Sequence, residues 1–200
     1  MNAVKAAVTT GKDDRIPPRE RLLATASELF YRQGIRAVGV ESIAEAAGTN
    51  KMTLYRHFSS KDELIAEYLR RVAGETLEGW RALAAKFPRD PRAQLLAWVK
   101  DTVGHLASGE ERGCPMANAA VELPEKDHPA RRVIEEFKNQ QRNYLIDLCR
   151  EANLSEPELL ADELFLLFEG AQVTAQSMGP QGLGARVLRM AETLIKSHEA

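Results

Sequence analysis

Three observations predict an all-α chain of about nine helices. Apolar residues recur at three- and four-residue intervals through most of the 200 positions, Pro and Gly stand at the ends of those runs, and no β-rich stretch or internal repeat interrupts them. Hydrophobic residues make up 44% and charged residues 28% of the chain, the balance of a globular protein, and no apolar run is long enough to span a bilayer. No secretory-type apolar segment follows Met1, and Cys114 and Cys149 are far apart without metal-ligand company. A cytoplasmic protein with no membrane partner, no metal and no cofactor is therefore expected.

The first helix is expected from Pro17-Pro18 to Gly34, with Leu22, Ala26, Leu29, Phe30 and Gln33 along one face. Gly39-Val40 leads into a second, short helix on which Ile43, Ala44 and Ala47 form a narrow apolar stripe. Gly48 is the expected left-handed residue after it, and Asn50 the expected N-cap of a third helix. On that third helix Leu54 and Phe58 face inward, which leaves Lys51, Met52, Thr53, Tyr55, Arg56 and His57 outside. The small Ala44 and Ala47 allow the two helices to cross closely. A glycine turn between two such helices, with a polar and cationic outer face on the second, is the pattern of a DNA-binding helix-turn-helix. Lys and Arg suit phosphates or a guanine edge, Thr a base or methyl group, and Tyr or His a phosphate oxygen.

Ser60 and Glu63 follow as a capping box, S-x-x-E, ahead of a further periodic run. From Gly34 to Leu64 the chain resembles the DNA-binding domain of the TetR family of bacterial transcriptional regulators. The matching marks are Ile43-Ala44, Ala47-Gly48, Thr53-Leu54-Tyr55, His57-Phe58, Lys61 and Leu64. Carried onto this sequence, the resemblance implies DNA contacts from Ser42, Asn50, Lys51, Met52, Thr53, Tyr55, Arg56, His57 and Lys61, the last at a helix start beside free N–H groups. Gly39 and Glu41 depart from the family, which often has Thr or Ser, and sometimes a basic residue, at those two positions; Glu41 is accordingly not expected to contact DNA. Through Arg71 the chain holds 12 Lys and Arg against 9 Asp and Glu, and beyond it 15 against 20, so the modest basic excess lies with the DNA reader.

The expected organisation is a flexible tail over 1–16, in which Lys5, Lys12 and Arg15 could follow a groove, a helix-turn-helix domain over 17–62, and a larger domain over 63–200. The fourth helix runs from Lys61 to about Phe87, and Pro88-Arg89-Asp90-Pro91 breaks the chain before a fifth to about Ala107. Gly113-Cys114-Pro115 turns into a short helix; Asp127-His128-Pro129 opens a long one to Asn153. Ser155 is the expected cap of a helix from Glu156 to about Met178, and Leu183 to His198 forms the last.

In the helix after Ser155, apolar residues wrap most of the circumference, so it must be covered on more than one side. The resemblance implies the cover, a homodimer through the last two helices, which also suits a palindromic DNA operator. It further implies that the larger domain binds an unidentified small-molecule effector. The candidate contacts are Trp80, Trp98, His105, Cys114, Met116, Asn118, Tyr144, Phe165, Phe168, Gln172 and Gln176, with much plain core among them. Repression relieved by the effector is the expected output. Cys114, in a Gly-Cys-x-x-x-Asn-Ala segment similar to one branch of the family, is alternatively a sensor of oxidants or electrophiles, or simply a small buried hydrophobe. Two other classes compete. A helical enzyme lacks G-x-S-x-G, H-E-x-x-H, a phosphate loop and paired Cys motifs, and Asp101 with His105 reads better as a helical ion pair. An architectural DNA protein leaves nearly two thirds of the chain without a purpose.

Overall fold

Proline opens and glycine closes the first helix, α1 (Pro18–Gln33), with Pro17 at its N-cap and Gly34 at its C-cap. Its buried face is Leu22, Leu23, Ala26 and Phe30. Gln33, expected on that face, is exposed at the helix end, and Leu23 joins the buried face. The computed structural model describes residues 16–107 and 112–199, so the expected tail, Ile16 excepted, lies outside the described residues. After α1 the described residues form α2 (Val40–Ala46), α3 (Lys51–His57), α4 (Lys61–Ala84), α5 (Pro91–Ala107), α6 (Pro115–Glu122), α7 (Pro129–Glu151), α8 (Pro157–Met178) and α9 (Leu183–Ser197), with no strand among them.

The chain divides into two compact units, residues Met1–Glu75 with Pro115–Glu135, and Thr76–Cys114 with Glu136–Ala200. These differ from the expected 17–62 and 63–200 domains, since the first unit takes in half of α4, all of α6 and the start of α7. In the first unit α1, α2 and α3 pack on one another. Leu22, Ile43, Leu54 and Leu64 are fully buried, and Phe58 nearly so. Each such aliphatic side chain is worth about 1.5–3 kcal/mol. Phe30 and Tyr68 meet with ring centroids 5.8 Å apart.

The α6–α7 segment reaches this unit through hydrogen bonds that local periodicity does not reveal. The Arg36 backbone N–H donates to the Glu122 carboxylate at 3.0 Å, its Nε to the Glu122 carbonyl at 2.6 Å, and its guanidinium to Glu125 at 3.2 Å. His128 stands 3.4 Å from Asp62, and its Nδ1 accepts the Ala130 N–H at the start of α7.

In the second unit α5 packs against α8 and α9, and α8 against α9. Trp98 and Phe168 cross edge to face at 5.0 Å in its core. Asp90 caps α5 by accepting the Ala93 N–H at 2.9 Å, as expected. The fourth helix stops at Ala84, short of Phe87, which is exposed. Ser155 is not a cap. Its N–H and its hydroxyl both donate to the His198 carbonyl, tying the α7–α8 turn to the end of α9, and Glu156, left-handed at φ 47°, precedes α8 without a side-chain cap. Asn153, also left-handed, closes α7. Leu159, Leu166 and Val173, seven residues apart on α8, are exposed, as is Met190 on α9.

Candidate functional site

The α2–α3 turn is built from backbone hydrogen bonds that require one left-handed residue. Gly48 takes φ 65°, its N–H bonds the Glu45 carbonyl, and the Thr49 N–H reaches back to the Ala44 carbonyl at 2.9 Å. Those two bonds satisfy carbonyls that the end of α2 leaves open. Asn50 then starts α3, its Oδ1 accepting the Thr53 N–H at 2.9 Å and the Thr53 hydroxyl at 3.2 Å. Ile43, Ala44 and Ala47 are buried on α2, and Leu54 and Phe58 at α3, so the interface between the helices is apolar and small. The opposite side of α3 presents Lys51, Met52, Tyr55, Arg56 and His57 exposed, with Thr53 half-buried; Ser42 is exposed on α2. Met52 is 77% exposed.

Two lysines of the nominated set are already engaged. Lys61 turns its ammonium to the Ile35 carbonyl at 2.8 Å and lies 6.0 Å from the Phe30 ring, and burial lowers its pKa. One N–H of that ammonium is thus given to the protein's own backbone. The capping box there is half made, with Ser60 accepting the Glu63 N–H at 3.1 Å while the Glu63 carboxylate takes Arg70. Lys51 donates to Glu41 at 2.9 Å across the two helices of the reader. That hydrogen bond and the charge behind it hold the Glu41 carboxyl below, and the Lys51 ammonium above, their ordinary pKa values. Glu41 is the residue that sequence reasoning passed over. Its partner is a side chain ten residues on, and only the α2–α3 crossing shows that.

The expected effector contacts fall into separate groups. Met116, fully buried, and Asn118 lie on α6 in the first unit. The others lie in the second, where Trp80 stacks on Tyr144 at 5.0 Å with an 11° interplanar angle and on Phe137 at 5.9 Å. The Tyr144 hydroxyl is buried and finds no hydrogen-bond partner among the described residues, and desolvation raises its pKa. Trp98 and Phe168 occupy each other. Gln176 donates to the Arg112 carbonyl at 2.6 Å, across Gly113, where a β-carbon would collide with the amide. Gln172 is half-buried. His105 pairs with Asp101 at 3.6 Å on α5. Cys114 is half-buried, and Lys138 donates to its sulfur at 3.5 Å while pairing with Glu169 at 2.6 Å and lying 5.6 Å from the Phe165 ring.

This geometry has known counterparts. A family model described as bacterial regulatory proteins, tetR family, matches residues 22–68, from α1 through the reader into α4. The HTH-type transcriptional activator FasR of Mycolicibacterium smegmatis is 38% identical over 104 residues, 49% of this chain and 47% of that protein. The HTH-type transcriptional repressor KstR2 of Rhodococcus jostii is 40% identical over 99 residues, 50% of this chain and 47% of that one. The matched stretch thus spans about half the length of these curated relatives. No helix among the described residues is long and apolar enough to cross a membrane. A crystal structure from Streptomyces avermitilis, described as a TetR transcriptional regulator (sav143), is similar along nearly its whole length, with 31% identity, a TM-score of 0.78, and coverage of 92% of this chain and 98% of that one. With that identity sustained end to end and the reader matched at its core, this chain belongs to the TetR family of bacterial regulatory proteins.

Proposed function

We propose that this protein is a transcriptional regulator that reads duplex DNA with α3 as a homodimer and releases its operator when a small molecule binds the second unit. The observation that carries the reading is the outer face of α3. It exposes a methionine, a tyrosine and three basic side chains on a short helix whose inner face is packed. The N-terminal part of such a helix enters the major groove, and its side chains meet base edges. Tyr55 and His57 suit phosphate oxygens, and Lys51, Met52, Thr53 and Arg56 the bases. Ser42 and Asn50 flank them. Lys61 supports the reader from within, as the donor to the α1–α2 connection.

Two-fold symmetry follows from operator geometry, because paired readers about 34–36 Å apart meet successive turns of one face of DNA. Leu159, Leu166, Val173 and Met190 supply an apolar surface for it on α8 and α9. The orphaned Tyr144 hydroxyl beside Trp80 supports an effector with a hydrogen-bonding group and an apolar body, since an unmet buried hydroxyl is costly until a partner arrives. Any ligand that favours a conformation with misplaced readers must weaken DNA binding by the same coupling factor, typically about 1–3 kcal/mol. Repression is the output of this regulator, the one that KstR2 carries in its name.

A second reading, a cysteine sensor, is favoured by one contact. The Lys138 ammonium rests on the Cys114 sulfur, and modifying that sulfur must displace a lysine that also holds Glu169 on α8. A covalent adduct would thus disturb the helix offered for dimerisation.

Four outcomes test these readings. In selection from a random duplex pool, substitutions at Lys51, Met52, Thr53 or Arg56 shift the preferred bases, each good contact being worth about 1–3 kcal/mol of discrimination. Tyr55→Ala instead weakens all DNAs alike, and an unaltered preference after all four changes refutes the base-reading assignment. Leu166→Glu with Val173→Glu, both exposed in the protomer, yields a folded monomer by sedimentation equilibrium; a dimer at micromolar concentration refutes the interface.

Tyr144→Phe stabilises the ligand-free protein by about 1 kcal/mol by removing the unmet hydroxyl, and shrinks the thermal shift produced by hits from a metabolite panel. Equal stability and equal shifts would remove Tyr144 from the effector site. Iodoacetamide at pH 8 labels Cys114 in the native protein but spares Cys149, whose thiol burial pushes up to about 11. Peptide mass mapping reads the labelling, and operator affinity unchanged by Cys114 alkylation refutes the sensor.

A further inference from the structure

The reader presents a carboxylate where a DNA-binding face normally avoids one. Glu41 is 76% exposed on the first turn of α2, and Lys51, 52% exposed on the first turn of α3, donates to it at 2.9 Å. Both groups lie on the two elements that make the helix-turn-helix, and neither is needed for packing, since the apolar residues of the crossing are buried elsewhere on those helices. Near DNA the carboxylate meets a dense array of phosphates and is repelled by all of them. The duplex offers it favourable partners only on base edges, the amino groups of cytosine and adenine in the major groove.

Resting on the DNA-reading function above, we propose that Glu41 is a specificity-determining residue, which joins Lys51 into one donor–acceptor unit that selects a G·C pair. An ammonium beside a carboxylate offers donors next to an acceptor. The major-groove edge of G·C is the complement: guanine N7 and O6 accept together from Lys51, and the cytosine N4 amino group donates to Glu41. An A·T pair fits less well. Its single adenine N7 takes the ammonium, and a carboxylate set on the N6 amino group is brought against thymine O4, a second acceptor. Glu41 also keeps Lys51 from drifting to the nearest phosphate, where its charge would add affinity without sequence information.

The test compares the full-length protein with Glu41→Gln, Lys51→Met and the double variant. The wild type is first used to select an operator from random duplexes, and each variant is then measured on that operator, on a non-specific duplex, and on versions with each G·C pair replaced. In Glu41→Gln, affinity for the non-specific duplex rises, the salt slope steepens by about one per reader, and discrimination at a single G·C position falls roughly tenfold. In the Lys51→Met background, Glu41→Gln no longer changes discrimination at that position. A purely structural tie between α2 and α3 predicts something else, a uniform loss of affinity on every duplex with lower thermal stability and unchanged base preference, and that pattern overturns the proposal. So does a Glu41→Gln protein with the same operator pool and salt slope as wild type. A wild type that selects no sequence at all overturns the regulatory reading itself, and the proposal with it.

Discussion

One left-handed residue governs the reader. With Gly48 at φ 65°, the chain leaves α2 through two backbone bonds to Ala44 and Glu45 and arrives at Asn50 in the extended conformation a cap needs. The cap starts α3 at Lys51, and that start decides which side chains face in. Leu54 and Phe58 fall on the apolar floor, and everything between them is turned to the outside. The floor contributes more stability than the turn, because each buried aliphatic side chain is worth about 1.5–3 kcal/mol and a cap about 1 kcal/mol. The turn contributes direction. A reader displaced by one residue would bury Tyr55 and expose Leu54, with the same composition and no recognition surface.

Much of this was legible in the sequence because it is local. Gly48, Asn50, Leu54 and Phe58 fall within eleven residues, where spacing on a 3.6-residue period determines the face, and the TetR-family resemblance rested on the same stretch. Chain ends of helices were legible for the same reason at Pro17, Gly34 and Asp90. What escaped depends on distance along the chain. Arg36 meets Glu122 and Glu125 across more than eighty positions, so the place of α6 beside the reader's helices had no periodic signature. Ser155 had the right residue type for a cap, yet its hydroxyl was drawn to His198 at the far end of the chain. Lys61 donates to a carbonyl twenty-six residues earlier, a contact that its place at a helix start does not announce.

The aromatic residues show why chemistry alone separates core from pocket poorly. Trp98 and Phe168 meet edge to face in the core, so their size alone says little about a ligand. Trp80 and Tyr144 also stack, but a phenol has a polar end that stacking does not serve. The unmet hydroxyl is what distinguishes the second pair from the first, and no sequence pattern reports on it. Gln176 illustrates the converse. An amide on an apolar helix suggests a ligand or a partner subunit, and one of its N–H groups goes to the Arg112 carbonyl within its own unit.

Lys51 and Lys61 carry the same charge ten residues apart and are held in opposite ways. Lys61 is partly desolvated and bonded to a carbonyl, so withdrawing it would leave a backbone acceptor without its donor. Lys51 is solvated on an exposed carboxylate. Water already serves both ions, so such a pair adds little net stability and can be exchanged for new partners at small cost. A cation on an exposed tether keeps its place beside the carboxylate, so that in the proposed unit an acceptor for the lysine and a donor for Glu41 are met together on one base pair.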